Sequence, residues 1–410
     1  MASLLKKLGR AVTFHRNIQT LALTGTVAAL ASSSLIPILQ PFILSIIPGE
    51  DITALGAMLT IASLASSLVA VLGGFVADKY GRKPMMVLGT VLSCMGAIVY
   101  FQTRTTIGLL AAVLLSSVGG AMAVSLSVTM VSESAGEERR ASSFGYVQML
   151  ASMGSALGPI IGSWAYISYG TRSPFLFAFG MYLLGFVVLL SVLRETHRGG
   201  KQARMLPWRL SEIKQIHHSL PDAKSLYMLV LAQLIISFGG AFGGSLSIIY
   251  ASEVIQAGAV ELAIMTSVYM VTSLVFMIPA GRLSDKIGRV PPLLAHEILY
   301  ISIQFGYALA QAPIHLILLN ALTGFTVALG IPGFRALQTE LMPQKHRAKL
   351  LSLYGFIAGL AATPGPLLSS LVWKIYGPRM MFVLSGILVA PTALVVYTSV
   401  KETLKPRQNQ

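Results

Sequence analysis

The 410-residue sequence predicts an all-α membrane protein of twelve transmembrane helices in two pseudo-symmetric six-helix bundles. Three observations carry this. Apolar windows of spanning length recur from residue 18 to residue 400, basic residues fall almost wholly to one side of them, and polar landmarks repeat at one offset of 207 residues. Residues 1–196 are expected to form the first bundle, 197–224 a linker and 225–410 the second bundle.

Hydrophobic residues make up 54% of the chain and charged residues 11%, which is not the balance of a soluble domain. A spanning helix needs roughly 20 apolar residues at about 1.5 Å rise each. Such windows lie at 18–46, 54–77, 84–102, 106–131, 142–168 and 173–193, then at 225–251, 260–281, 291–310, 313–340, 350–372 and 379–400. An outer-membrane strand would instead show about 10 residues of apolar and polar alternation, so a β-barrel is excluded.

The net charge of +15 suggests a nucleic-acid partner only until its distribution is read. With loops assigned alternately to the two sides, all but Arg104, Arg172, Lys374 and Arg379 of the 30 Lys and Arg residues share one side. That bias places both termini and the linker in the cytoplasm of a plasma or inner membrane. The basic start (Lys6, Lys7, Arg10, Arg16) looks like a signal-peptide n-region, but the apolar stretch after it is about twice too long, so it reads as an uncleaved first helix. In the linker, Trp208, Leu210, Ile213, Ile216 and Leu220 at near-helical spacing suit a surface-lying amphipathic helix or a disordered basic segment.

Cys94 is the only cysteine and lies in the third span, which excludes disulfides and cysteine-cluster metal sites. The chain lacks a Gly-x4-Gly-Lys-Ser/Thr loop and a His-Glu-x2-His helix, the minimal parts of ATPase and zinc-protease mechanisms. No cofactor, metal, ATP or nucleic acid is expected; the expected partners are a small-molecule solute, protons and the lipid bilayer, with the chain working as a monomer.

The repeat runs ungapped. Gly74, Asp78, Lys79, Gly81, Arg82 and Pro84 recur as Gly281, Asp285, Lys286, Gly288, Arg289 and Pro291. Glu133, Arg140, Gly158-Pro159, Tyr169-Gly170, Arg172 and Glu195-Thr196 recur as Glu340, Arg347, Gly365-Pro366, Tyr376-Gly377, Arg379 and Glu402-Thr403. Helical apolarity alone does not repeat polar, Gly and Pro positions, so the chain is a duplicated six-helix unit. Parallel repeats imply bundles related by an axis along the membrane normal, a site near the midplane and alternating access by rocking.

Between the second and third spans stands GGFVADKYGRKPMM (73–86), and with Gly74, Asp78, Lys79, Gly81, Arg82 and Lys83 it resembles the major facilitator superfamily, whose cytoplasmic loop reads Gly-x3-Asp-Arg/Lys-x-Gly-Arg-Lys/Arg. The second copy loses only its last basic residue, to Val290. Gly81 supplies the backbone freedom of a tight turn, and Asp78 is placed to face the positive end of a neighbouring helix, worth about 0.3–1 kcal/mol if exposed. The resemblance implies charge networks that hold the bundles together on the cytoplasmic side when the site faces out. The gate residues are then Gly74, Asp78, Gly81, Arg82, Glu133 and Arg140, with Asp285, Gly288, Arg289, Glu340 and Arg347 as their twins. The alternative is that these charges only mark the membrane boundary.

In the fifth span, Gly145, Gly154, Gly158-Pro159 and Gly162-Ser163 are similar to the antiporter motif of the drug-exporting branch, whose last pair is usually Gly-Gly. Glycines four apart make a stripe that lets another helix approach closely, which is also ordinary membrane packing. A span-four Arg, common among proton-driven exporters four residues before a Gly, is replaced by Leu115 or Ser116, so proton coupling does not carry over through that residue.

On the implied fold, spans one, four, seven and ten line the cavity, and their interiors hold no Asp or Glu. A bare organic cation would lack a counter-ion at a cost of several kcal/mol, so neutral or lipophilic solutes fit better. Candidate lining residues are Gln40, Gln233, Ser237, Asn320 and Thr323, with Phe238, Phe242, Tyr269 and Tyr354 as stacking walls, each of which also suits helix packing. Arg335 either meets an anionic group in the cavity, pairs with Glu340 or snorkels to the headgroups. Glu297, the deepest acid, is either a proton site or part of a headgroup-zone pair with His296. The expected function is proton-coupled, multidrug-type efflux of small lipophilic or neutral compounds. An importer of a sugar or organic anion is the first rival and a non-transporting receptor the second; an enzyme is disfavoured because the spans hold no paired acids and no activated nucleophile.

Overall fold

The computed structural model describes residues 15–135, 139–196, 220, 222–344 and 346–403. Most of the linker, with Trp208, Leu210, Ile213 and Ile216, lies outside the described residues, as do both chain ends. Leu220 packs against the second bundle.

Twelve long helices follow the predicted windows among the described residues. The first six are α1 (Arg16–Ile46), α2 (Ile52–Tyr80), α3 (Arg82–Gln102), α4 (Thr106–Ser134), α5 (Arg140–Tyr169) and α6 (Ser173–Val192). In the second half, α7 (Ala223–Gly244) is prolonged by Ser247–Ile249 and Tyr250–Val254, and α8 (Ala259–Ile287), α9 (Val290–Leu309) and α10 (Pro313–Leu341) follow. The two pieces of α11 (Arg347–Ala362 and Gly365–Tyr376) precede α12 (Pro378–Ser399). Eleven spans are long and apolar enough to cross a membrane. The exception, α9, carries polar side chains that are buried in the protein rather than in lipid, Glu297 and Gln304 among them.

Helix boundaries obey the repeat. Ile52 and Tyr80 of α2 stand 207 residues before Ala259 and Ile287 of α8, and Thr106 and Ser134 of α4 stand at the same distance from Pro313 and Leu341 of α10. Gly81 and Gly288, with φ of 99° and 106°, link α2 to α3 and α8 to α9 in a conformation that a side chain would strain. Two expected continuous spans are interrupted. The 350–372 window breaks at Thr363 and Pro364, where Pro364 and Pro366 withhold two amides, and the 225–251 window ends in a wide π turn at Tyr250–Val254.

The ends that carry the Asp78 and Asp285 loops form one face, called here the motif face. On the opposite face a single hydrophobic cluster crosses between the bundles, joining Phe42, Ile43 and Leu55 to Leu246, Tyr250 and Leu262. At the motif face each bundle keeps its own core: Leu21, Met86, Met130 and Leu189 in the first, Leu226, Leu293, Leu337 and Val396 in the second. The bundles meet along α2 with α11 and α5 with α8, and on the opposite face α1 also touches α8 and the segment after α7.

Within the first bundle the tightest seam is α1 on α5. A Cβ on Gly154 would stand 2.5 Å from the Thr26 carbonyl oxygen, one on Gly158 2.7 Å from that of Leu30, and one on Gly162 2.7 Å from the Ser34 carbonyl carbon. Gly145 lies outside this seam, with nothing within 4 Å of such an atom. The second bundle repeats the seam, where a Cβ on Gly365 of α11 would stand 2.8 Å from Ala241 and the Phe242 nitrogen of α7. Gly158→Val is therefore expected to destabilise the protein by at least about 1–3 kcal/mol through overpacking, with Gly145→Ala close to neutral. Equal thermal midpoints of the two purified variants would rule out the seam as the reason for the glycines.

Candidate functional site

The motif loops build two matching charge networks, each closed within its own bundle. Arg82, just past the Gly81 turn, places Nη2 2.8 Å from Glu133 Oε1 and 3.2 Å from Asp78 Oδ1. Arg289 likewise pairs with Asp285 and lies 3.6 Å from Glu340 Oε1. The spacing of these residues is what a helix end requires: Asp78 and Arg82 are one turn apart across the Gly81 link, and α4 ends beside them with Glu133. Arg140 and Arg347, predicted in the same networks, make no ion pair with Glu133 or Glu340 among the described residues; they stand at the starts of α5 and α11. Gly74 faces open space, whereas a Cβ on Gly281 would stand 3.8 Å from Pro332.

The networks hold members that motif reading had recorded only as repeats. The Glu195 carboxylate accepts the backbone N–H groups of Arg82 at 3.1 Å and Lys83 at 2.9 Å, capping the start of α3, and Thr196 Oγ1 donates to Glu133 Oε2 at 2.7 Å. Glu402 accepts the Val290 N–H at 3.0 Å, and the Thr403 hydroxyl bonds Glu340. The Glu-Thr pairs therefore tie the ends of α6 and α12 to the turns they adjoin. The signal was present in the 207-residue offset, which both pairs obey.

Among the described residues, the polar contacts that bridge the bundles all lie toward the opposite face. Gln40 Nε2 donates to the Ser245 carbonyl at 2.8 Å, the Leu367 N–H donates to Thr60 Oγ1 at 3.0 Å, and Lys374 Nζ stands 3.7 Å from Asp51 Oδ1. The Thr53 N–H, and secondarily Lys374, hold the Asp51 carboxyl below its usual range. Gln40, expected in the substrate cavity, is thus part of the seal on this face. Beside the seal a cavity of about 540 Å³, lined by Pro41, Phe42, Tyr166, Arg172, Ser252 and Leu262 among others, lies between the bundles.

The remaining cavity candidates divide. Phe242 is buried in the cross-bundle cluster rather than forming an open wall, and Phe238 packs 6.0 Å from it. Gln233 Nε2 donates to Ser237 Oγ at 3.0 Å, Asn320 Nδ2 to the Tyr307 hydroxyl at 2.7 Å, and Thr323 Oγ1 back to the Leu319 carbonyl. The Tyr269 carbonyl lies in the close contact between α8 and Gly324 of α10. Tyr354 is buried against Phe334, and Arg335 donates to Gln338 instead of pairing with Glu340. Glu297, at 1% exposure, sits between α9 and α12, where it accepts from Thr392 Oγ1 at 2.6 Å. It is enclosed by protein, and His296 turns away from it to the Thr326 carbonyl.

Two bundles that share one core on one face, keep separate cores on the other and carry matched charge networks there define a two-bundle membrane transporter. The family model of the Major Facilitator Superfamily matches residues 21–250 and 228–410, and the chain belongs to that superfamily. It is 24% identical over 387 residues to the multidrug resistance efflux pump PmrA of Streptococcus pneumoniae, covering 92% of this chain and 94% of PmrA. It is 26% identical over 368 residues to the multidrug resistance protein MdtG of Yersinia enterocolitica, covering 86% and 85%. A crystal structure of a D-xylose–proton symporter shares the fold at a TM-score of 0.73 and 18% identity, covering 95% of this chain and 98% of the symporter.

The Glu195 cap is expected to contribute about 0.5–2 kcal/mol, as helix caps do. Glu195→Ala should lower the thermal midpoint of the purified protein accordingly, and an unchanged midpoint would show that the α3 amides need no such partner.

Proposed function

We propose that this transporter exports small lipophilic or neutral compounds by alternating access, in exchange for protons. The observation that carries the reading is the asymmetry between faces: one hydrophobic cluster and three polar contacts close the opposite face, while each motif network keeps to its own bundle. The basic bias makes the motif face cytoplasmic, so this arrangement is the inward-open state. Closing that face brings α11 toward Gly74, which has room for it, and lets Asp78 exchange part of its Arg82 contact for the start of α11. The similarity to PmrA and MdtG supports export. The fold shared with the D-xylose–proton symporter supports the same machine running inward as an alternative. Vesicle flux of a drug panel under an imposed pH gradient tests direction and coupling together, and solute accumulation on the cytoplasmic side would overturn export.

Two variants bias the states in opposite directions. Asp78→Asn should favour the state open at the motif face, and Asp51→Asn, by loosening the Lys374 contact, the state open at the other. Because the Asp51 carboxyl is held below its ordinary value of about 4, its charge is present above that range and is lost only as pH falls through the depressed value. The Asp51→Asn effect should therefore be the same at pH 5.5 and 7.5. Thiol labelling of single cysteines on each face, in a Cys94→Ser background, reads both; unchanged patterns would remove these residues from the gate.

Glu297 is the deeply buried carboxyl among the described residues, with Oε1 unpartnered, and we assign it the exchanged proton. Glu297→Gln should abolish transport driven by a pH gradient while sparing solute counterflow. Gradient-driven transport at the wild-type rate would exclude it.

A further inference from the structure

Near the motif end of α10 the side chains of Arg335, Gln338 and Tyr354 bring together more hydrogen-bond donors than acceptors. Arg335 is exposed, about 9 Å short of the end of α10 at helical rise. Its Nη1 donates to Gln338 Oε1 at 3.2 Å. A guanidinium accepts nothing, so this contact fixes the Gln338 oxygen toward Arg335 and leaves the amide Nε2 as a spare donor. Gln338 is fully buried, and Tyr354 of α11, at 8% exposure, lies with its hydroxyl beside the Gln338 side chain. Gln338 Nε2 and the Tyr354 hydroxyl lie close enough to interact with each other but make no hydrogen bond of ordinary geometry; even paired, they leave one amide hydrogen and the hydroxyl hydrogen to spare.

The acid that could neutralise Arg335 is engaged elsewhere: Glu340 faces Arg289 and the Thr403 hydroxyl. Arg335 makes no ion pair among the described residues. A buried donor left unpaired is costly, and here spare amide and hydroxyl hydrogens stand beside an unneutralised guanidinium. The complement of such a set is a group that only accepts and carries negative charge, namely a carboxylate, phosphate or sulfonate. Beside it the Phe334 ring, 5.9 Å from that of Tyr354, offers an apolar surface.

We propose that Arg335, Gln338 and Tyr354 bind the anionic head group of a lipophilic solute that enters between the bundles from the motif face. This narrows the lipophilic-or-neutral class given above; it rests on the reading of the chain as a solute transporter, and on neither its direction nor its coupling.

The probes are 2-naphthoate, 2-naphthyl phosphate and neutral 2-naphthamide, bound to the full chain in phosphatidylcholine nanodiscs. Both anions are expected to bind at least ten times more tightly than the amide. Arg335→Gln and Tyr354→Phe should narrow the gap, and Arg335→Lys should keep part of it. Equal affinities for naphthoate and naphthamide in the unmodified protein overturn the proposal without relying on any variant. Soluble dihexanoylphosphatidylglycerol separates the sources of the anion. Failure to displace naphthoate at equal concentration supports a solute site, and displacement assigns the cluster to a lipid head group and overturns it. Vesicle flux of naphthamide without selective naphthoate binding would sink the site and leave the transporter reading standing. Selective binding with no flux of any probe would do the reverse.

Discussion

Two helical bundles embedded in lipid gain little from hydrophobic exclusion against each other, because acyl chains are as apolar as their side chains; close packing and the few polar contacts decide where they hold together. In this chain both are concentrated toward one face. Leu55, Leu246 and Tyr250 share a core there, and Gln40, Thr60 and Asp51 each find a partner in the other half. At the motif face each bundle keeps its own core instead. The proposed alternating access draws on this imbalance.

Within each bundle the helices are held by close backbone packing and by charge networks at their ends. Glycines 154, 158 and 162 let the α5 backbone lie against α1, and Gly365 does the same for α11 against α7. At the motif ends, where helices would otherwise splay, Arg82 and Arg289 gather carboxylates from two helices, and Glu195 and Glu402 cap the helices that begin there. Closed networks of this kind do not commit either bundle to its partner. They hold the helix ends together while the charges stay satisfied, which charged groups near lipid require.

The polar chemistry inside the bundles is unequal. Glu297, Gln304, Asn320, Gln338 and Tyr354 all belong to the second half. Most of them bond within that half: Gln304 to Ser385, Asn320 to Tyr307, Glu297 to Thr392. Duplication supplied two equal frames, but among the described residues the buried carboxyl and the buried glutamines lie in the second, whereas the first buries Asn17 and hydroxyls.

Membrane spans, their boundaries, the duplication and the motif turns were legible in the chain because each depends on local composition or on a residue type at fixed spacing: apolar length, Gly where φ is positive, and polar landmarks 207 residues apart. Contacts between helices were not legible, because facing residues such as Gln40 and Ser245, or Glu297 and Thr392, are separated by spans whose rotation is set only when the helices pack. The same reason explains why Phe242 and Gln40 were taken for cavity lining, and why the Glu-Thr pairs were seen as repeats before their role was known. Sequence by itself determined a duplicated, membrane-spanning helical chain with charged turns; tertiary packing alone decided which face is sealed and which donors remain unpaired, since both depend on distances between helices far apart in the chain.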